Sequence, residues 1–112
     1  MRPRCGYFTM PNSLTQHVAN ELTFITKDGA LKVRSVNNLL DTVVDMAKTL
    51  EARWVVMACD WDDVQRCPVW SVYDMHRVST TRPISLPLPV KTFANESSDA
   101  AVMFALAKHG GA

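Results

Sequence analysis

SVNNLLDTVVDMAKTLEAR, residues 35–53, runs straight into WVVMAC, residues 54–59, and this junction constrains the fold more than any other part of the chain. Val36, Leu39, Leu40, Val43, Val44, Ala47 and Leu50 recur at helical spacing, with Asn38, Asp41, Thr42, Asp45 and Lys48 on the other side. That period predicts an amphipathic helix over 36–51, capped by Ser35 or Asn37. The unbroken apolar run after it predicts a strand covered on both faces. A helix with one apolar stripe, joined almost directly to a covered strand, calls for a sheet with helices packed on it.

The flanking segments extend that plan. LTFIT and ALKVR surround Lys27-Asp28-Gly29, so residues 22–34 read as a hairpin with an apolar and a basic face on its second strand. A continuous helix over 13–26, closed by Gly29, is the competing reading. Ser13-Leu14-Thr15-Gln16 matches a capping box and predicts a short helix over 13–20. Before it, MRPRCGYFTMPN reads as an arm broken by Pro3, Gly6 and Pro11.

Residues 69–78, VWSVYDMHRV, predict a strand bordering solvent, since neither alternating face is wholly apolar. In ISLPLPVKTF, Pro87 and Pro89 lack the amides a central strand would donate, which predicts an edge strand or a polyproline-like stretch. A last helix is expected over 98–109, capped by Ser97 or Ser98 and stopped at Gly110. It is apolar nearly all round, so either the sheet and the 36–51 helix bury it together or a second chain completes its cover.

The predicted fold is thus an α+β domain over 13–112 behind an arm at 1–12. It has a single sheet of about four to five mostly antiparallel strands, two main helices and a short N-terminal helix. This order of elements resembles that of roadblock-type domains, which are dimerising, non-catalytic adaptors. The likeness rests on element order and on no motif.

Length and charge narrow the function classes. A chain of 112 residues holds one core. Its 12 Lys and Arg against 11 Asp and Glu leave a net charge of +1, too small an excess for gripping a phosphate backbone. The charge is uneven along the chain. Residues 1–34 carry five cations against two acids, residues 35–63 two against six, and the remainder five against three. No apolar stretch follows Met1-Arg2-Pro3-Arg4 and no run reaches the roughly 20 residues of a membrane span. The three cysteines, Cys5, Cys59 and Cys67, form an odd set without a leader, so reduced thiols and a cytoplasmic location are expected.

CDWDDVQRCPVW, residues 59–70, is the candidate site. Seven residues separate Cys59 from Cys67, a poor match to the close ligand pairs of structural zinc, even with His76, Cys5 or His17 as further ligands. Asp60, Asp62 and Asp63 follow a covered strand, as metal carboxylates of phosphoryl-transfer enzymes do. No phosphate loop or His-Glu pair accompanies them. Asp62-Asp63 more readily starts a turn between two strands. Asp41 and Asp45, one helical turn apart, read as solvated surface charge, and His17, His76 and His109 are scattered.

Trp54 is expected in the core. Trp61, set among carboxylates in the expected turn, is either a recognition residue or half of a staple with Trp70. The expected partner-binding residues are therefore Asp60, Trp61, Asp62, Asp63 and Trp70, facing a basic protein partner. No cofactor or metal is expected.

The function expected is that of a small non-catalytic protein-binding module, an adaptor or an inhibitor covering a partner's surface. Inhibitors encoded by phages and mobile elements are often chains of this kind. A homodimer through the 98–109 helix is expected with it. The alternatives are nucleic-acid binding through Arg2, Arg4, Lys32 and Arg34, and a metal-dependent hydrolase on the 60–63 cluster.

Overall fold

The computed structural model describes residues 21–34, 40–79, 81 and 84–111. The arm at 1–12, the helix at 13–20 and the caps at Ser35 and Asn37 lie outside the described residues. The described chain is α+β, with one antiparallel sheet and two helices. The strands are β1 (Glu21–Thr26), β2 (Gly29–Arg34), β3 (Trp54–Asp62), β4 (Cys67–Asp74) and β5 (Lys91–Ala94). The helices are α1 (Leu40–Thr49) and α2 (Asp99–Gly111). The strand order β2-β1-β3-β4-β5 puts the WVVMAC strand in the middle.

That central place explains the unbroken apolar run. Alternation sends Val55 and Met57 to one face and Trp54, Val56 and Ala58 to the other. The first face packs with Leu22, Phe24 and Tyr73 under Leu40, Val43, Val44 and Ala47 of α1. The second packs with Ile25, Trp70 and Val72 under Ala101 and Ala105 of α2. The helices therefore cover opposite faces, and α1 contributes nothing to the burial of α2.

Four boundaries differ from the sequence reading. The 22–34 segment is a hairpin, not a helix continued to 26. Its connection is the two-residue Lys27-Asp28, since Thr26 pairs with Gly29. Gly29 is already the first residue of β2 and takes φ 114°, a conformation that side chains rarely adopt. The 69–78 strand ends at Asp74, whose carboxylate accepts the His76 amide and turns Met75–Arg77 into a single 3₁₀ turn. In the 84–93 segment only Lys91–Ala94 pairs, as an edge strand on β4, with an isolated bridge Ser79–Ser85 before it. Pro87 and Pro89 fall in the unpaired stretch, where a missing amide breaks no ladder. Helix α2 continues through Gly110 to Gly111 instead of stopping at Gly110.

The end of α1 shows how a helix is stopped without glycine. The Ala52 amide donates to the Ala47 carbonyl and the Glu51 amide to that of Lys48, a paired closure that requires a left-handed residue between them. Glu51 supplies it at φ 54°. A Cβ in that region costs about 1–2 kcal/mol, while glycine adds chain entropy to the unfolded state. Glu51→Gly is therefore expected to raise the unfolding free energy by about 0.5–1 kcal/mol, read by urea denaturation. A loss of stability would show that the Glu51 side chain makes an interaction worth more than the relieved strain.

Candidate functional site

The acidic–aromatic segment forms the far end of the β3–β4 hairpin. Ala58 pairs with Trp70 but Asp60 pairs with Val69, so Cys59 is an extra residue in β3 and the ladder bulges there. The bulge reverses the alternation. Beyond it Trp61 lies opposite Pro68, on the side of Trp70 and α2, while Asp60 and Asp62 turn to the other face. Trp61 thus belongs to a strand, not to the turn where the sequence placed it. The turn is Asp63-Val64-Gln65-Arg66. It closes through Arg66 in the left-handed region at φ 56°.

The carboxylates serve the backbone around them. The Asp60 carboxylate accepts from the Trp61 amide at 2.7 Å. Asp62 Oδ1 accepts from the amides of Val64 and Gln65 at 2.9 and 3.0 Å, which pins the turn. Among the described residues no three His, Cys, Asp or Glu side chains converge as cation ligands would. Burial, reinforced by the charges of Asp62 and Glu96, pushes the Cys67 thiol up. That favours the protonated thiol over a thiolate nucleophile.

The five residues expected to bind a partner are not one surface. Asp60 and Asp63 are exposed, and Trp61 and Asp62 are half-buried. Trp70 is buried in the α2-side core, with its indole N–H donated to the Asn95 carbonyl at 3.0 Å. Register alternation puts Trp61 and Trp70 on the same face as diagonal neighbours, yet among the described residues no ring contact joins them. At the very tip Val64 is 92% exposed.

Helix α2 carries the larger apolar surface. Its sheet side is built from Ala101 and Ala105, small enough for close approach to β3 and β4. Phe104 meets Phe93 edge to face at a centroid distance of 5.8 Å, and Lys108 Nζ lies 5.7 Å from the Phe104 ring. The outer side presents Ala100, Met103, Leu106 and Ala107 to solvent. Met103 is 69% and Leu106 37% exposed. The helix that reads as apolar all round is covered on one side.

The expected basic face is already engaged. Glu21 takes Arg34 at 2.9 Å and Lys32 at 3.8 Å across the β1–β2 pair. Arg2 and Arg4 lie outside the described residues. His76, His109 and Asp45 are exposed and dispersed over separate elements.

Sequence reasoning missed the most organised polar group. Arg53 grips Asp74 through Nε and a terminal nitrogen, both at 3.0 Å, and Arg77 Nε stands 3.8 Å away. The Arg53 guanidinium also lies 4.8 Å from the Trp54 ring. The pair ties the entrance of β3 to the exit of β4, where Trp54 and Asp74 are in register. Twenty-one positions separate the two residues, so no local spacing announced them.

No family model, curated protein or solved structure matches the chain. Among the described residues, no helix is long and apolar enough to cross a membrane.

Proposed function

We propose that this domain is a non-catalytic protein-binding module, an adaptor or inhibitor that acts by covering a partner's surface. The observation that carries the proposal is the outer face of α2. A helix that must fold against a sheet needs only one apolar side, yet α2 keeps Met103 and Leu106 in solvent on the other. Such residues make binding surfaces because their contact with a partner removes apolar area from water. Trp61 lies on the same side of the sheet, so the hairpin end adds an aromatic contact there, with Asp63 in the adjoining turn and Asp60 on the opposite face. Those charges favour a basic partner.

Nucleic-acid binding has less support, because Lys32 and Arg34 are held by Glu21. A hydrolase at the 60–63 cluster has less support too, because Asp60 and Asp62 are bonded to nearby amides.

A photo-crosslinking residue at Met103, used in the native host, is expected to capture a defined partner. The double variant Met103→Glu/Leu106→Glu should lose that partner with its melting temperature unchanged, and Trp61→Ala should weaken capture in part. Capture that survives the double variant, or a double variant that no longer folds, would overturn the assignment of this face.

A further inference from the structure

Among the described residues the outer edge of β2 is also unpaired, and it is distinct from the α2 face. The two-residue turn closes on a directly hydrogen-bonded pair, Thr26 and Gly29. Alternation then turns the amides and carbonyls of Ala30, Lys32 and Arg34 away from β1. Among the described residues β2 is last in the sheet, so these groups face no further described strand. Leu31 is 43% exposed on the α1 side. It borders a cleft of about 350 Å³ with Thr42, Asp45, Met46, Thr49 and Leu50.

We propose that this edge pairs with the same edge of a second copy of the chain, antiparallel, across a two-fold axis at Leu31. The pairing joins two sheets into one. The sequence of the edge, Asp28-Gly29-Ala30-Leu31-Lys32-Val33-Arg34, is its own complement about that axis. In this register Asp28 lies beside Arg34 of the copy, Gly29 opposite Val33 and Ala30 opposite Lys32. Each small residue meets a large one, and the acid meets the base. Ala30 and Lys32 of opposite copies exchange both backbone hydrogen bonds, and the two Leu31 side chains meet in a close non-hydrogen-bonded pair.

Lysine on an edge strand usually discourages pairing. Here Lys32 has Glu21 at 3.8 Å within its own chain and an alanine across the axis. An acidic extended peptide is the other candidate occupant. It is less favoured because Asp28 stands exposed at the end of the strand, where it would repel an acidic chain but can face Arg34 of a second copy, whose side chain is 78% exposed.

Sedimentation of the whole chain across concentrations is expected to show a monomer–dimer equilibrium. Lys32→Pro removes one outward amide from each copy on an edge that tolerates proline, and should weaken association roughly 30-fold. Asp28→Arg and Arg34→Asp should each weaken it, and the two together should restore it. Under mild oxidation Leu31→Cys should form a covalent dimer much faster than Ala30→Cys. The axis brings the first pair of Cα atoms to about 4.5 Å and leaves the second beyond disulfide reach. Melting temperatures of the variants establish that each is folded.

A monomer at every concentration, no rescue by the double charge swap, or equal cross-linking of the two cysteine variants would each overturn the proposal. So would a dimer abolished by Met103→Glu/Leu106→Glu and untouched by Lys32→Pro, which would place self-association on α2. An acidic peptide that binds the wild-type chain but not Lys32→Pro, with no dimer formed, would assign the edge to a peptide instead.

Discussion

Asp74→Ala is expected to lower the unfolding free energy by about 2–3 kcal/mol, the range for losing charge-assisted hydrogen bonds at a buried carboxylate. Asp74 is only 4% exposed at its side chain, and its oxygens accept two guanidinium N–H groups of Arg53 and the His76 amide. Alanine removes all three bonds at once. The 3₁₀ turn at Met75–Arg77 loses its cap, and the β3 entrance loses its tie to β4. Asp74→Asn retains an acceptor for the His76 amide but cannot receive both guanidinium groups as an anion, so its loss should be smaller.

The same pair makes stability depend on acid. The Arg53 hydrogen bonds, helped by the His76 amide and the charges of Arg53 and His76, hold the Asp74 carboxyl below the ordinary carboxylate range, against the opposing effect of burial. The folded pKa is the lower one, so near pH 3–4 the unfolded chain binds the proton more readily. The contribution is complete above about pH 4–5 and fades as the pH falls through the folded value. Urea denaturation at pH 7 and pH 3 should therefore show the gap between wild type and Asp74→Asn narrowing in acid. A gap of equal size at both would mean the carboxylate's charge is not what stabilises the junction.

Phe24→Ala should be the most damaging single truncation, at about 3–5 kcal/mol. Phe24 is fully buried between α1 and the sheet and is paired on both sides, with Leu31 on β2 and Val55 on β3. The cavity would open among residues held by three strands and a helix, which cannot all move in to fill it. Met103→Ala, also an apolar truncation, should change stability by less than about 0.5 kcal/mol because Met103 stands in solvent. Equal losses at the two sites would mean that the outer face of α2 is part of the folding core, and the proposed docking face would fall with it.

Local chemistry made most of the elements legible. Val43, Val44 and Ala47 recur at a helical period, and they are the buried face of α1. WVVMAC reads as covered on both sides, and its two alternating sets lie in two separate cores. The weak stretches are those where one specific contact overrides the pattern. Residues 75–77 have strand-like alternation, but Asp74 turns the chain. Trp61 looks like a turn residue because three carboxylates surround it, yet the pairing of β3 with β4 carries the strand through it to Asp62.

The candidate site was half visible. Asp60, Trp61, Asp62 and Asp63 do form one hairpin end, and their composition marked it. Trp70 reads as a partner for Trp61 across the turn, while its place in the ladder and its bond to Asn95 put it in the core. The bulge at Cys59 decides which side Trp61 faces, and no residue type there signals an extra residue in the ladder.

By itself the sequence determined the approximate places of the β1–β2 hairpin, α1, β3 and α2, and the apolar face of α1. Those follow from periodicity, proline and capping chemistry within a few residues. Tertiary structure alone decided that α1 and α2 lie on opposite faces of the sheet. It also decided that Arg53 meets Asp74, and that among the described residues β2 is the last strand of the sheet. Each of these depends on strand order and register, which arise from contacts between distant segments, and local spacing carries no record of them.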